Sequence, residues 1–182
     1  VSWVVVTAGI AVEFCLVLWT ADVLRDQVGL SPAAAAAGVT ALVAGMCAGR
    51  VGGGRLALRR SVDSLLYGAV LTTAAGFTAF WLTGSVWVAL PALVVCGLGI
   101  SLFYPLGIAR AIAASDGRPD LASARAGLGA ALASGAGPFV LGAVADVVGL
   151  HWALLVVPAL LLVAAAGVRL SGPRFGDVPP GP

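Results

Sequence analysis

The sequence has no lysine, one histidine and few charged residues of any kind. Charged side chains make up 10% of its 182 residues and hydrophobic ones 60%, against about 25% and about 45–50% in an ordinary soluble domain. So little charge excludes a water-facing exterior, because folded surfaces are already more than half apolar when charges are plentiful. The mean hydropathy of +1.07 therefore predicts an integral membrane protein with the lipid bilayer as its surroundings.

The charges that are present also exclude some functions. The net charge of +2 is spread along the chain, whereas a nucleic-acid surface needs basic residues gathered on one face. Cys15, Cys47 and Cys96 lie in apolar runs without C-x-x-C spacing. They predict neither a zinc site nor a disulfide framework. No cofactor, metal site or nucleic-acid partner is predicted.

Six apolar segments are long enough to cross a membrane, since a bilayer core of about 30 Å needs about 20 helical residues. They are predicted at residues 3–23, 32–50, 64–82, 86–108, 122–146 and 151–168. The first lacks a basic segment before it and a small-residue cleavage site after it, so it is not predicted to be a signal peptide. The predicted fold is an all-α transmembrane bundle over residues 1–171. The tail at 172–182, rich in proline and glycine, is predicted to be disordered.

Arginine placement predicts the orientation of the bundle, because short cytoplasmic loops accumulate positive charge. Two longer loops are predicted, at 50–63 and 109–121. One side of the membrane would hold Arg50, Arg55, Arg59, Arg60, Arg110, Arg118, Arg125, Arg169 and Arg174. Only Arg25 falls on the other side. We therefore expect a multi-pass protein of the cell membrane with both termini in the cytoplasm.

Small residues concentrate in the second and fifth segments, at 33–49 and 127–142. Membrane helices associate by close packing, so such residues mark helix interfaces. Because the two segments hold matching positions in the first and second triplet of helices, they are consistent with a three-plus-three inverted repeat.

Glu13 lies midway along the first predicted helix. An acid there is costly unless it faces a cavity or a partner or takes up a proton. It is interpreted as a substrate-binding or proton-carrying carboxylate, with a structural acid bonded to a neighbouring helix as the alternative.

The fourth helix is predicted to be breakable. Pro105 removes one backbone hydrogen bond, and Tyr104, Ser101, Gly99 and Gly97 precede it. Broken helices often line transport cavities, whereas proline kinks also occur in packed spans. Both interpretations of Ser101 and Tyr104, as a cavity wall and as a packed kink, stay open at this point.

Three stretches carry a family resemblance. The first is the run at 49–56 with Arg59 and Arg60 after it, the second is the run from Gly137 to Trp152, and the third is the run from Glu13 to Ser31. Together they resemble the C-terminal six-helix half of the major facilitator superfamily, in a sugar-permease-like or drug/proton antiporter-like member. The resemblance identifies Gly49, Arg50, Gly53, Arg55 and Arg59 with the family's cytoplasmic loop motif. That motif usually includes an Asp among its arginines, whereas Ala57 and Leu58 precede Arg59 here.

The resemblance implies half of a twelve-helix secondary transporter that moves a small solute by alternating access, with coupling to protons as an option. The implied partners are an N-terminal six-helix half or a second copy of this chain, and a small-molecule substrate. Glu13, Tyr104 and Ser101 are the implied substrate or proton site, and no enzymatic activity is expected.

Three alternatives come from other functional classes. An intramembrane serine hydrolase would need a serine and a histidine together, and the candidates are Ser101, Ser134 and His151. An accessory or structural membrane subunit is the second alternative. A channel is disfavoured, because no ring of like charges or repeated filter motif is present.

Overall fold

A computed structural model describes residues 2–115 and 117–170. Within those ranges all regular structure is helical, and six helical spans are long and apolar enough to cross a membrane. The six predicted spans and the all-α membrane fold are therefore confirmed. The predicted disordered tail at 172–182 lies outside the described residues.

Eight helices build the six spans. They are α1 (Ser2–Val28), α2 (Pro32–Ala57), α3 (Val62–Leu82), α4 (Val86–Ile100), α5 (Phe103–Ala113), α6 (Pro119–Val148), α7 (Leu150–Ala153) and α8 (Val156–Leu170). Span four consists of α4 and α5, and span six consists of α7 and α8. We call the end where α1 begins and α8 ends the arginine-rich end, since Arg55, Arg59, Arg60, Arg118 and Arg169 lie there.

Individual serine and glycine residues define where some of the helices begin and end. Ser31 and Ser61 are N-caps whose hydroxyls accept hydrogen bonds from the amides of Ala34 and Ser64, each at 3.3 Å. These bonds satisfy donors that the first helical turn leaves free. Gly149, with φ of 84°, ends α6 in a backbone conformation that favours glycine.

The predicted loop at 50–63 is wrong over its first half. α2 continues to Ala57, so Gly49, Arg50, Gly53 and Arg55 lie on a helix and only Arg59 lies beyond it. Glycine often breaks helices in water. Inside a membrane, however, the free-energy cost of leaving backbone N–H and C=O groups without hydrogen bonds exceeds the conformational entropy that glycine would gain by leaving the helix. The loop predicted at 109–121 is also shorter than expected, because α5 reaches Ala113 and α6 begins at Pro119.

Glycines bring α4 into backbone contact with α2. A Cβ added at Gly45 of α2 would overlap the backbone of Val94, and one added at Gly97 of α4 would overlap the carbonyl of Leu42. Each glycine thus receives the backbone of the opposite helix. The small-residue stripe predicted in the second span is a helix interface.

Glycines on the other face of α4 do the same for α3. A Cβ at Gly76 of α3 would lie 2.7 Å from the carbonyl oxygen of Ala92, and one at Gly99 of α4 would lie 2.6 Å from that of Ala69. The helix α4 is therefore held between α2 and α3 at distances that larger side chains would not permit.

The packing pattern fits the predicted inverted repeat. Span two packs against span four as span five packs against span one, and span three packs against span four as span six packs against span one. Exchanging the two triplets therefore preserves the main contacts. Spans one and four run in opposite directions, as an inverted repeat requires.

We expect Gly45→Ala to destabilise the bundle, because the added methyl must push α2 away from the Val94 backbone. Overpacking of this kind costs about 1–3 kcal/mol. The measurement is the apparent melting temperature of the purified protein in detergent. Gly68→Ala is the matched control, since a Cβ at Gly68 of α3 meets nothing within 4 Å. Equal melting temperatures for the two variants would contradict the close approach of α2 and α4.

Candidate functional site

Span four is interrupted near its middle. The helix α4 ends at Ile100 and α5 begins at Phe103. Pro105 has no N–H, so the carbonyl of Ser101, four residues earlier, receives no helical hydrogen bond from it. The predicted break is confirmed, and it lies at Ser101 and Leu102.

The break contacts both α1 and α2. A Cβ added at Gly9 of α1 would overlap the side chain of Phe103, and one added at Gly53 of α2 would overlap that of Leu102. Glycines on two neighbouring helices therefore pack against Leu102 within the interruption and Phe103 directly after it. The break is thus held at a fixed depth between α1 and α2.

Glu13 is half-buried and lies one helical turn beyond Gly9. Thr20 and Leu24, which lie seven and eleven residues further along the same stripe of α1, both contact Gly38 of α2. Glu13 therefore lies on the face of α1 that turns toward α2. Its carboxylate interacts electrostatically with Arg50.

Arg50 is a site residue whose position the sequence did not predict. The sequence places it at the boundary between the second span and a cytoplasmic loop, whereas it lies within α2, next to Gly49, with its side chain exposed. A Cβ at Gly49 would overlap the hydroxyl of Ser101 at the break. The signal that could have found it is the uninterrupted run of small and apolar residues from Ala33 to Ala57, in which Arg50 stands as the first charge.

The other two predicted site residues have different environments. Ser101 is buried, packs on Gly49, and donates its hydroxyl hydrogen to the carbonyl of Leu98 at 2.8 Å. It serves helix packing in this structure. Tyr104 lies in the first turn of α5 and is 45% exposed, so its ring is accessible at the surface of the bundle.

A second group of charges ties the helices together at the arginine-rich end. Arg110 of α5 is 4% exposed; it pairs with Asp63 of α3 and donates a further hydrogen bond to the carbonyl of Val168 in α8 at 2.8 Å. Three spans thus meet at one guanidinium. The sequence did not predict this junction, because it placed Arg110 and Asp63 in separate loops.

A cluster of aromatic residues joins three spans at the opposite end. The rings of Trp81 and His151 stack with centroids 4.6 Å apart, and the indole of Trp81 donates to the carbonyl of His151 at 2.9 Å. The amide of Gln27 donates to Nδ1 of His151 at 2.8 Å. His151 is thus engaged at a helix junction.

The arrangement a serine hydrolase needs is not found among the described residues. Ser101 and Ser134 donate their hydroxyl hydrogens to the carbonyls of Leu98 and Ala131 within their own helices. Neither has a hydrogen bond to His151. Residues 2–115 and 117–170 also contain no group of three His, Cys, Asp or Glu residues that could hold a metal ion.

A groove of about 340 Å³ lies between α1, α6 and α8. Its lining includes Val4, Ala8, Val140, Val156 and Leu160, and no charged side chain. Thr7 also lines it, but its hydroxyl donates to the carbonyl of Trp3 within α1. The groove therefore offers no charged group that could orient a polar solute or carry a proton. The region around Glu13, Arg50 and the helix break is therefore the candidate site.

No protein-family model matches the sequence, and no curated protein matches it either. The fold, however, is similar to that of a solved structure, a Major Facilitator Superfamily transporter, FucP, in the outward conformation. The TM-score is 0.84 over 94% of this chain, at 18% sequence identity. The chain has the major facilitator fold. It covers 41% of the FucP chain, as expected for one six-helix half of that fold.

We expect Asp63→Ala to destabilise this major facilitator fold, because it leaves the buried Arg110 guanidinium without its carboxylate. The cost should be about 3 kcal/mol, the low end for a broken buried pair, since Asp63 is partly exposed. Thermal unfolding in detergent measures it. Asp22→Ala removes the acid of the exposed Asp22–Arg25 pair and should cost under about 1 kcal/mol. Similar losses in the two variants would show that Arg110 does not depend on Asp63.

Proposed function

We propose that the chain forms one half of a secondary active transporter, which carries a small solute across the membrane by alternating access and is driven by protons. The observation that carries this proposal is Glu13, an ionisable residue inside a membrane-spanning helix of a major facilitator fold. Intramembrane acids of this kind are retained where a substrate or proton must be bound. The helix break beside it supplies the irregular backbone that transport sites use.

The partner of this half is proposed to pack on the exposed faces of α2 and α6. These are the least buried of the six spans, with 33% and 22% of an apolar 18-residue stretch buried in each. A Cβ added at Gly54 of α2, or at Gly127 or Gly135 of α6, would meet nothing within 4 Å. Small residues facing outward suit the close approach of further helices. A second six-helix unit, either an N-terminal half or another copy of this chain, would cover them.

The arginine-rich end is proposed to face the cytoplasm. Arg55, Arg59, Arg60, Arg118 and Arg169 lie at helix ends or in short connections there, as the positive-inside rule requires of a cytoplasmic face. At the opposite end Arg25 pairs with Asp22, which leaves little net positive charge. The ends of α1 and α8 at residues 2 and 170 would then both lie on the cytoplasmic side.

We expect Glu13→Gln to abolish proton-driven accumulation by the full-length protein. A gradient of about one pH unit supplies about 1.4 kcal/mol per proton, enough for about tenfold accumulation at one proton per solute. Without a titrating group at residue 13 the accumulation ratio should fall to one, while solute exchange across the membrane continues. Uptake into proteoliposomes with and without an imposed pH gradient measures both.

Asp22→Asn is the matched control, because Asp22 is an acid on the same helix but lies exposed beside Arg25 near its end. It should accumulate solute as the wild type does. Undiminished accumulation by Glu13→Gln would rule out Glu13 as the proton carrier. Loss of exchange together with accumulation would assign it to solute binding alone.

A further inference from the structure

Arg50 is a charged residue with no role in the transport function proposed above. It lies on α2 before the helix ends at Ala57, and its side chain is exposed. Two ion pairs form within residues 2–115 and 117–170, Asp22–Arg25 and Asp63–Arg110. Arg50 takes part in neither, so its guanidinium can accept a further partner.

Arg50 and Glu13 lie at comparable depth on neighbouring helices. Gly38 of α2 contacts Thr20 and Leu24 of α1, and from that contact Arg50 is about 18 Å further along α2. Along α1, Glu13 is about 10–17 Å from the same contact in the same direction. The two residues therefore differ little in depth.

The Cα–Cβ bonds of the two residues also tilt toward one another along the helix axes. In a helix each Cα–Cβ bond tilts toward the N-terminus. Because α1 and α2 are antiparallel, Arg50 tilts away from the arginine-rich end and Glu13 tilts toward it. They are nevertheless not in ion-pair contact, which leaves space between them.

Other charges near α1 are committed or distant. Arg110 is held by Asp63 and Val168, and Arg25 by Asp22. Apart from Cys47 and Cys96, the remaining described charged or titratable groups on helices that pack against α1 lie near helix ends or along exposed faces: Arg55, Tyr104, Asp120, Arg125, Asp146, His151 and Arg169. Arg50 is the basic group that acts on Glu13.

We propose that Arg50 binds the transported solute through an anionic group, and that Glu13 is the counter-charge whose protonation makes Arg50 available to it. This inference rests on the proposed transport function and assigns its substrate class, a small anion such as a carboxylate. A guanidinium presents paired N–H donors that match the two oxygens of a carboxylate.

The two binding events are coupled by electrostatics. An anion at Arg50 brings negative charge close to Glu13, and a like charge disfavours the ionised carboxylate. Anion and proton therefore bind cooperatively, since each raises the affinity for the other by the same factor. The solute and the proton would cross together, and the pair Arg50–Glu13 would be re-formed when both leave.

Cys47 is a native reporter for this site. It is exposed and lies three residues before Arg50, on the adjoining part of the same face of α2, while Cys15 and Cys96 are buried. The measurement is the ratio of the rates at which Cys47 in the full-length protein reacts with an anionic and a cationic methanethiosulfonate. Taking the ratio at each pH cancels the fraction of ionised thiol. Cys47→Ser establishes that the label is on Cys47.

We expect the ratio in the wild type to rise as the pH is lowered, as Glu13 takes up its proton. Glu13→Gln should give a high ratio that does not change with pH. Arg50→Gln should lower the ratio about tenfold, as expected when one nearby unit charge is removed from a pair of oppositely charged reagents. Arg25→Gln, at the far end of α1, is the control and should match the wild type.

An unchanged ratio in Arg50→Gln would overturn the proposal. So would a Cys47 that reacts with neither reagent, because Arg50 would then not line a water-filled space.

Uptake of neutral sugars, small carboxylates and inorganic phosphate by the same variants separates this proposal from the transport function. Carboxylate or phosphate uptake that Arg50→Gln abolishes and Arg50→Lys partly restores supports both. Uptake of neutral sugars alone, undisturbed by Arg50→Gln, would overturn the anion site and keep the transporter. If no solute is taken up while the reagent ratios behave as expected, the transport function fails and the anion site stands.

Discussion

The backbone contact of α4 with α2 and α3 determines where everything else in the bundle lies. Lipid gives no hydrophobic drive for helices to associate, so close packing must hold them together. Gly45 and Gly97 bring α4 against α2, and Gly76 and Gly99 bring it against α3. With α4 fixed in this way, the interruption that follows it at Ser101 falls beside α1 and α2, the helices that carry Glu13 and Arg50.

Two polar junctions fix the ends of the same helices. At the arginine-rich end Arg110 joins span four to the start of α3 and the end of α8. At the other end Trp81 of α3 and His151 of α7 are bound to one another. Spans three and six are therefore held together at both ends. Constraints at both ends favour movement of these spans as one body.

Composition and hydropathy were enough to predict six spans, because the bilayer imposes length and apolar content on each one. They failed at Arg50, since the glycines and arginines around it resemble a loop and only the packing on α4 shows a helix. They left Ser101 open between a cavity wall and a packed kink, because its burial depends on Gly49 of a different helix. The pairing of Arg110 with Asp63 joins residues far apart in sequence, and no local pattern reports such a contact.

The first helix has an unusual place in the order of assembly. It packs against α2, α4, α5, α6, α7 and α8, and Val5 contacts Gly167 near the far end of the described chain. Within the described chain α1 is made before all the helices that it packs against, and α8 is made last. The Glu13 carboxylate of α1 therefore lacks most of its surrounding helices until the later spans are inserted. The packing of α1, the first described helix, is therefore complete only when α8, the last one, is in place.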